Sequence, residues 1–300
     1  MPVAQPGIFA QGTRSHHYLQ LDLRPGVDPG LIGPTLGRLH QPDVTSGGLN
    51  LVIALGPALA HLLGPGGTPD GLVPFAPVGS PAGRGVPADQ HDLWLWLHGT
   101  GPDTVLDAAR LATGALAPAF ELATEQPAFS YRDGRDMTGF VDGTENPPVD
   151  EAPDVALVPE GRPGAGGSFV LVIHFVHDLA AFGVLPLEDQ EAVIGRTRVD
   201  SVELDDARKP PTAHIARVVV EENGEELEIY RRSTPYGTVG VQGLEFVAFS
   251  ADPGRFPTML ARMYGLSDDG IIDRLTEFTT AEGAASYFAP SLTALRALAS

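Results

Sequence analysis

No cysteine occurs among the 300 residues of the chain. That absence excludes disulfides, thiolate-bound metals, iron–sulfur clusters and cysteine nucleophiles together. A transition metal must then be held by histidine, carboxylate or a cofactor. Basic residues are scarce, 19 Lys and Arg against 38 Asp and Glu, giving a net charge of −19. Such a balance argues against nucleic acid and anionic lipid, which are bound by neutralising phosphate with Lys and Arg. Small substrates or cations are the expected partners. Long apolar runs are also missing, with nothing near the roughly 18 residues that would cross a bilayer. The opening Met1-Pro2-Val3-Ala4-Gln5-Pro6 has no basic stretch followed by an apolar one, so no export signal is read and a cytoplasmic location is expected.

What is present can build cores, since 43% of residues are hydrophobic. At this length two units of roughly 100 to 200 residues each are expected. Tyr18 to Leu23 alternates and predicts a strand, Leu49 to Leu55 predicts a buried strand, and a short helix follows over 57–63. The Gly/Pro-rich stretch through Pro87 reads as a rim or dimer feature, and a homo-oligomer is expected. Leu93 to Leu97 is apolar on both faces and precedes a predicted helix over 103–113, with Val105, Leu106, Ala109 and Leu111 inward. The succession returns as a strand over 244–249, a turn at Asp252-Pro253-Gly254 and a helix over 256–264 carrying Met259, Leu260 and Met263. Leu49 to Leu55 is matched in the same way to Phe169 to Phe175. We read two copies of one α+β unit, antiparallel sheets backed by helices, divided as 1–134 and 135–300. Chance similarity of generic strand–helix pairs is the competing account. A further helix is expected over 186–193, followed by Gly195-Arg196-Thr197-Arg198.

The stretch Gly139-Phe140-Val141-Asp142-Gly143-Thr144-Glu145-Asn146-Pro147 sets one acid among turn residues and apolar neighbours. Two accounts of Asp142 stand: a turn residue bonded to its own loop, or a desolvated carboxyl whose raised pKa suits proton transfer. Further on, Asn223-Gly224 between 215–221 and 226–232 is a strong hairpin signal. A two-residue turn there sets Val220 opposite Leu227, Val218 opposite Ile229 and Ala216 opposite Arg231. The face is apolar apart from Arg231, so Arg231 is expected inward and Arg232, with Arg217 and Tyr230, on the other side. An inward cation needs an anion, either in an internal salt bridge or in a pocket that handles anions. His214 and Ser233 adjoin the same end.

The loop 139–147, Ile194-Gly195-Arg196, Ala213-His214 with Arg217, and Arg231-Arg232-Ser233-Thr234-Pro235-Tyr236-Gly237 together resemble the dye-decolourising peroxidases. The resemblance covers nearly all the chain, including the ending Tyr287-Phe288-Ala289-Pro290-Ser291, and the compact length is similar to that of the family's bacterial intracellular class. It implies two ferredoxin-like halves, in agreement with the repeat, with haem b (iron protoporphyrin IX) in the C-terminal half. It also implies a peroxidase that reduces hydrogen peroxide and oxidises dyes, phenolic or porphyrin-like donors by single electrons. By motif position, the resemblance makes His214 the expected iron ligand, Asp142 and Arg231 the pair on the opposite, distal side, and Arg196 a partner of a haem propionate. Asp273, in Gly270-Ile271-Ile272-Asp273-Arg274-Leu275, is expected to accept a hydrogen bond from His214.

The chemistry suits that assignment. Cleaving a peroxide needs a group to move a proton between its oxygens and a cation to meet the charge on the leaving one, roles that fit Asp142 and Arg231. A carboxylate behind a neutral imidazole makes it a better electron donor to a metal. Many members carry Asn where this chain has Ser233, so distal hydrogen bonding is expected to be weaker or water-mediated. Phe246 or Phe249 is expected to pave the distal face, with ordinary core as the other account. A flat cofactor cannot pass through a paired hairpin, so strand pairing must stop before His214. Bulky donors would pass electrons through Trp94, Trp96, Tyr131, Tyr230, Tyr236, Tyr264 or Tyr287. His174 and His177 point to opposite faces of a strand and suit one metal poorly. They, with His16, His17, His40, His61, His91 and His98, are read as surface or satisfied core. Two alternatives remain: a haem- or porphyrin-handling protein on the same fold, and a cofactor-free ferredoxin-like dimer with a buried salt bridge at Arg231.

Overall fold

Alternating and β-branched stretches form the strands β1 (Ser15–Leu23), β2 (Leu49–Leu55), β3 (Leu93–Gly99), β4 (Phe120–Phe129) and β5 (Ser168–His177) in a computed structural model that describes residues 2–39, 48–64, 69–222 and 224–298. The later strands are β6 (Glu221–Glu222), β7 (Glu225–Glu226), β8 (Tyr230–Arg231), β9 (Thr234–Gly237), β10 (Gln242–Ser250) and β11 (Thr279–Ala289). Helices α1 (Ile32–Leu36), α2 (Pro57–Leu63), α3 (Pro102–Leu116), α4 (Ala152–Ala156), α5 (Leu179–Gly183), α6 (Leu187–Ile194), α7 (His214–Val218), α8 (Arg255–Met263) and α9 (Leu292–Leu298) lie between and after them. None is long and apolar enough to cross a membrane among the described residues. His40 falls outside those residues.

The strands hydrogen-bond in the order β4-β1-β3-β2-β11-β5-β10-β8, with β9 also pairing to β10. Numbered within each half, this is the order 4-1-3-2 twice: β4-β1-β3-β2, then β11-β5-β10 with β8 and β9. The fold is α+β, two ferredoxin-like arrangements joined where Phe288 of β11 pairs with Leu55 of β2. β3 and β10 are equivalent third strands, as the repeat predicts. The match of Leu49–Leu55 to Phe169–Phe175 is corrected, because β5 holds the place of β1 and not of β2. Both are short apolar strands, and similar composition hid different positions in the order.

Helix α3 buries Val105, Ala109, Ala112 and Leu116, a stripe at helical spacing, and leaves Leu106 47% and Leu111 75% exposed. The expectation that those two leucines face inward is therefore wrong. Tyr18, Trp94 and Trp96 of the first half pack with Val172, Phe249 and Tyr287 of the second in one shared core. Each half has a second core on its outer face, under α3 in the first and under α8 in the second.

The hairpin keeps its predicted register only at the tip, where Glu221 pairs with Glu226 and Glu222 with Glu225; Asn223 itself lies outside the described residues. The backbone N–H of Leu227 still donates to the Val220 carbonyl at 2.7 Å, and then the ladder ends. Residues 215–218, expected as part of a strand over 215–221, wind with His214 into α7, and Arg231 pairs with Ala248 of β10 instead of Ala216. Pairing thus stops before His214.

Candidate active site

The face of the second half that α8 covers is hollow. Ile173 and Phe175 of β5, Phe246 of β10, and Phe256, Met259 and Met263 of α8 supply apolar walls to an inner cavity. Into it project His214 at the start of α7, Asp142 and Glu145 of the 139–147 loop, Arg196, and Arg231 of β8. The chain brings these together from segments nearly 90 residues apart.

His214 is placed by a glycine. Helix α6 ends at Gly195 with φ +95°, and a side chain there would come within 2.2 Å of Ile215, the neighbour of His214. The His214 ring sends Nδ1 to Asp273 Oδ2 at 2.6 Å. Asp273 is fully buried, and its Oδ1 accepts from the Leu275 backbone N–H at 2.8 Å. A carboxylate partner puts the proton on Nδ1, so that Nε2 is the ring nitrogen left without a hydrogen bond among the described residues.

Asp142 is held by its own loop. Gly139 takes φ +90° against the guanidinium of Arg198, and Gly143 takes φ +76° and donates its N–H to Asp142 Oδ1 at 2.8 Å. Arg135 fastens the loop by donating to the Gly139 carbonyl at 2.9 Å and to the Arg198 carbonyl at 2.5 Å. Burial raises the Asp142 pKa above the usual carboxylate range, Arg231 opposes the rise, and the charge of Asp136 adds to it. The turn-type hydrogen bond and the desolvated carboxyl, two competing accounts from sequence, coexist in one residue.

Arg231 is fixed by its backbone. Asn146 Oδ1 accepts from the Arg231 N–H, and Asn146 Nδ2 donates to the Arg231 carbonyl, both at 2.8 Å. The guanidinium has no acidic partner within 4.0 Å among the described residues, which leaves the internal salt bridge without support. Arg232 turns to the other face, donates to the carbonyls of Ile8 and Ala10 at 2.6 Å each, and stacks over Trp96 at 5.0 Å. Arg232 is thus tied into the shared core instead of lying free, and Arg217 is buried in an ion pair with Asp269 at 2.9 Å.

The other predicted site residues divide. Arg196 lines the inner cavity, forms an ion pair with Glu145, donates to the Ser201 carbonyl at 2.6 Å and leaves its buried Nε without a partner. Phe246 lines the cavity, whereas Phe249 is fully buried in the shared core beside Trp96. Three residues apart on one strand, the two must face opposite ways, so Phe249 is corrected to core. Ser233 lines a second, outer cavity that also meets Asp142 and Arg231, and its Oγ accepts from the Val247 N–H at 3.4 Å. Of the aromatic relay candidates only Tyr131 is more than slightly exposed; Trp94, Trp96, Tyr230, Tyr236, Tyr264 and Tyr287 are buried.

Sequence reasoning missed a pair in the inner cavity. His177 Nε2 lies 3.1 Å from Asp136 Oδ1, and Asp136 Oδ2 accepts from the Thr138 hydroxyl at 2.7 Å. Burial works to raise the Asp136 pKa, but the bonds from His177 and Thr138 prevail and hold it low. The signal available was Asp136-Met137-Thr138, a short-range side-chain turn. Asn146 was visible in the loop but read as a turn residue alone.

Residues 133–294 match the family model described as Dyp-type peroxidase, C-terminal. The chain is 35% identical over 252 residues to a dye-decolorizing peroxidase of Rhodococcus erythropolis, covering 83% of this chain and 74% of the relative. A putative dyp-type peroxidase of Shewanella oneidensis superposes with a TM-score of 0.90 at 34% identity, over 98% of each chain. A variant of DypB from Rhodococcus jostii, solved in complex with heme, superposes with a TM-score of 0.86 at 30% identity, covering 100% of this chain and 99% of that one.

Proposed function

The chain belongs to the Dyp-type peroxidases, and from that premise we propose that it is a haem b peroxidase that reduces hydrogen peroxide and oxidises dyes, phenolic or porphyrin-like donors by single electrons. The observation that carries the reading is the pairing of His214 with buried Asp273 on one wall of an apolar cavity that Asp142 and Arg231 also line. The residues fit the cofactor. One imidazole with a free Nε2, apolar walls and the incompletely satisfied Arg196 suit an iron macrocycle that is flat, greasy and edged by carboxylates. Haem, when bound, supplies the electron transfers to peroxide and from donors.

In this reading His214 holds the iron and Asp273 keeps its ring in one tautomer and orientation. Arg196 meets a propionate, for which it would exchange or share its contact with Glu145. Asp142 takes the proton from one peroxide oxygen and returns it to the other, and its raised pKa makes it the stronger base for the first of these transfers. Arg231 meets the negative charge on the departing oxygen; among the described residues no acid lies within 4.0 Å of its guanidinium, and Asp142 is near enough to feel its charge. Asn146 is a positioning residue that holds Arg231 in place by its backbone. Ser233 faces the outer cavity, and Phe246 would supply apolar wall to a bound macrocycle. The catalytic half is assigned to 135–300 and the supporting half to 1–134. A cytoplasmic homo-oligomer is the working assembly. The test is spectroscopic: purified protein supplied with haem should show a Soret band that changes within seconds of adding peroxide. A protein that takes up haem without responding to peroxide would be a haem carrier instead.

A further inference from the structure

Four polar side chains on the lining of the inner cavity, Asp136, Thr138, His177 and Thr279, form one hydrogen-bonded group that the chemistry proposed above does not use. The group is tied to Asp142 through the backbone. Residues 134–142 make a small antiparallel hairpin: the Asp136 N–H donates to the Phe140 carbonyl at 2.9 Å, the Asp142 N–H donates to the Gly134 carbonyl at 3.0 Å, and Arg135 pairs with Val141 between them. In such a hairpin residues 136, 140 and 142 share one face. The two carboxylates therefore stand diagonally across the ladder on the same side, on the order of 7 Å apart. Both line the cavity, whose apolar walls screen one charge from the other poorly.

Asp136 does not shed its charge easily. Its Oδ2 accepts from the Thr138 N–H at 2.9 Å and from the Thr138 hydroxyl at 2.7 Å, and its Oδ1 meets His177 Nε2 at 3.1 Å. Three donors aimed at one carboxylate keep it ionised, and its charge in turn works on Asp142. His177 is built differently. Nε2 donates to Asp136, which leaves Nδ1 as the nitrogen that can change state, and Nδ1 meets the Thr279 hydroxyl at 2.9 Å. A hydroxyl donates to a neutral ring and accepts from a protonated one, so His177 can gain or lose a proton without losing a partner. The pair thus has two states: one net negative charge with the ring neutral, and none with the ring protonated.

We propose that Asp136 and His177 are a positioning pair for Asp142: Asp136 holds the hairpin from which the acid projects, and the charge on His177 decides how much of the Asp136 charge reaches it. That Asp142 moves the peroxide proton rests on the peroxidase reading; the electrostatic link does not. The other charges that face Asp142 are Arg231 of β8, which opposes Asp136, and His214 of α7, with Glu145 and Arg196 on the same lining. Facing His177 are Asp136 from the hairpin and the uncharged Thr279 from β11, while the adjacent Asp178 is turned to the start of α5, where it accepts from the Ala181 N–H at 2.8 Å. Arg231 stays charged throughout, so the pair supplies a part of the field that changes with pH. As pH falls, protonation of His177 offsets Asp136 and favours ionised Asp142, the form that accepts a proton, under the conditions where acid would otherwise silence it.

Infrared titration of the haem-loaded protein, without peroxide, tests this by following the carboxyl C=O band of Asp142, assigned through its loss in Asp142→Asn. Asp136→Asn should lower the midpoint of that band. His177→Gln, which keeps a donor for Asp136 but cannot take up a proton, should raise it. Each should change the ratio of protonated to ionised Asp142 at fixed pH by at least about threefold. Thr279→Val, nearly isosteric and on β11 instead of the hairpin, removes the hydroxyl partner, a loss that weighs more on a charged ring than on a neutral one. It should move the midpoint in the same direction as His177→Gln, and it decides the matter if substitution at 136 or 177 prevents folding. A pair that only braces the loop would shift Asp136→Asn and His177→Gln in one common direction. That result, or a midpoint unmoved in Thr279→Val, would overturn the proposal. Peroxide rates on the same samples are a separate readout. Opposed midpoints with rates that ignore them would leave the pair standing and sink the role of Asp142 in the peroxide reaction.

Discussion

Asp273 Oδ2 lies 2.6 Å from Nδ1 of His214, and that carboxylate has no exposure to solvent. A buried acid that meets one imidazole and one backbone N–H is positioned to control the donor strength of the ring, because neither group can turn to water instead. His214→Ala is expected to lose haem. Asp273→Asn is expected to keep it with affinity weakened about tenfold or more. Haem transfer to an acceptor globin, followed by absorbance, measures both, and full retention with an unchanged spectrum in His214→Ala would remove the ligand assignment.

Arg231 and Arg232 should fail in different ways. Arg231→Leu removes a charge facing the inner cavity and is expected to slow the peroxide reaction by about 100-fold or more. Arg232→Leu strands the carbonyls of Ile8 and Ala10 and should instead cost stability, on the order of 2 kcal/mol. Stopped-flow rates and thermal melts on the pair decide it; equal rate losses would defeat the division.

Asn146 both donates to and accepts from the Arg231 backbone. Asn146→Ala is expected to slow the peroxide reaction about tenfold through misplacement of Arg231, in line with the cost of small displacements. Haem content should not change. Asn146→Asp, which keeps the acceptor and loses the donor, should fall no lower than Ala in haem content but stay slow.

The pH profile carries a sign. Asp142 accepts a proton only when ionised, and burial raises its pKa. The peroxide rate should therefore fall as pH drops through that raised value. Arg231 stabilises the ionised form, so Arg231→Leu should move the acid limb to higher pH as well as lowering the plateau. A limb that stays in place would assign the titration to another group.

Much of the site was legible because its residues sit in motifs of contiguous sequence. The inward direction of Arg231 needed only strand alternation, whereas local chemistry left Asp142 as a turn residue or a desolvated acid and its role came from the family resemblance. Alternation also separates Phe246 from Phe249, a distinction available from sequence but not drawn. The hairpin was less tractable. Ile215 and Val218 are apolar positions compatible with a short strand and with one helical turn, and five residues cannot distinguish period 2 from period 3.6. The inward direction of Arg231 came out right, although the partner strand was β10 and not the 215–221 segment. What settles α7 is tertiary: Arg217 reaches Asp269, 52 residues away, and His214 reaches Asp273, 59 residues away. The Asp136–His177 pair, 41 residues apart, was invisible for the same reason.

Residues 230–233 form a wall between two interiors, with Tyr230 and Arg232 on the aromatic side and Arg231 on the cavity side. The wall imposes a parity rule on how the gene can change. Inserting or deleting one codon between Ile229 and Ser233 would exchange the two guanidiniums, turning a structural anchor toward the inner cavity and the cavity-facing charge toward Trp96. Steps of two would preserve the facing. Length variation among descendants of this sequence should therefore collect in the tip at Glu222–Glu225 and avoid the four residues that follow Ile229.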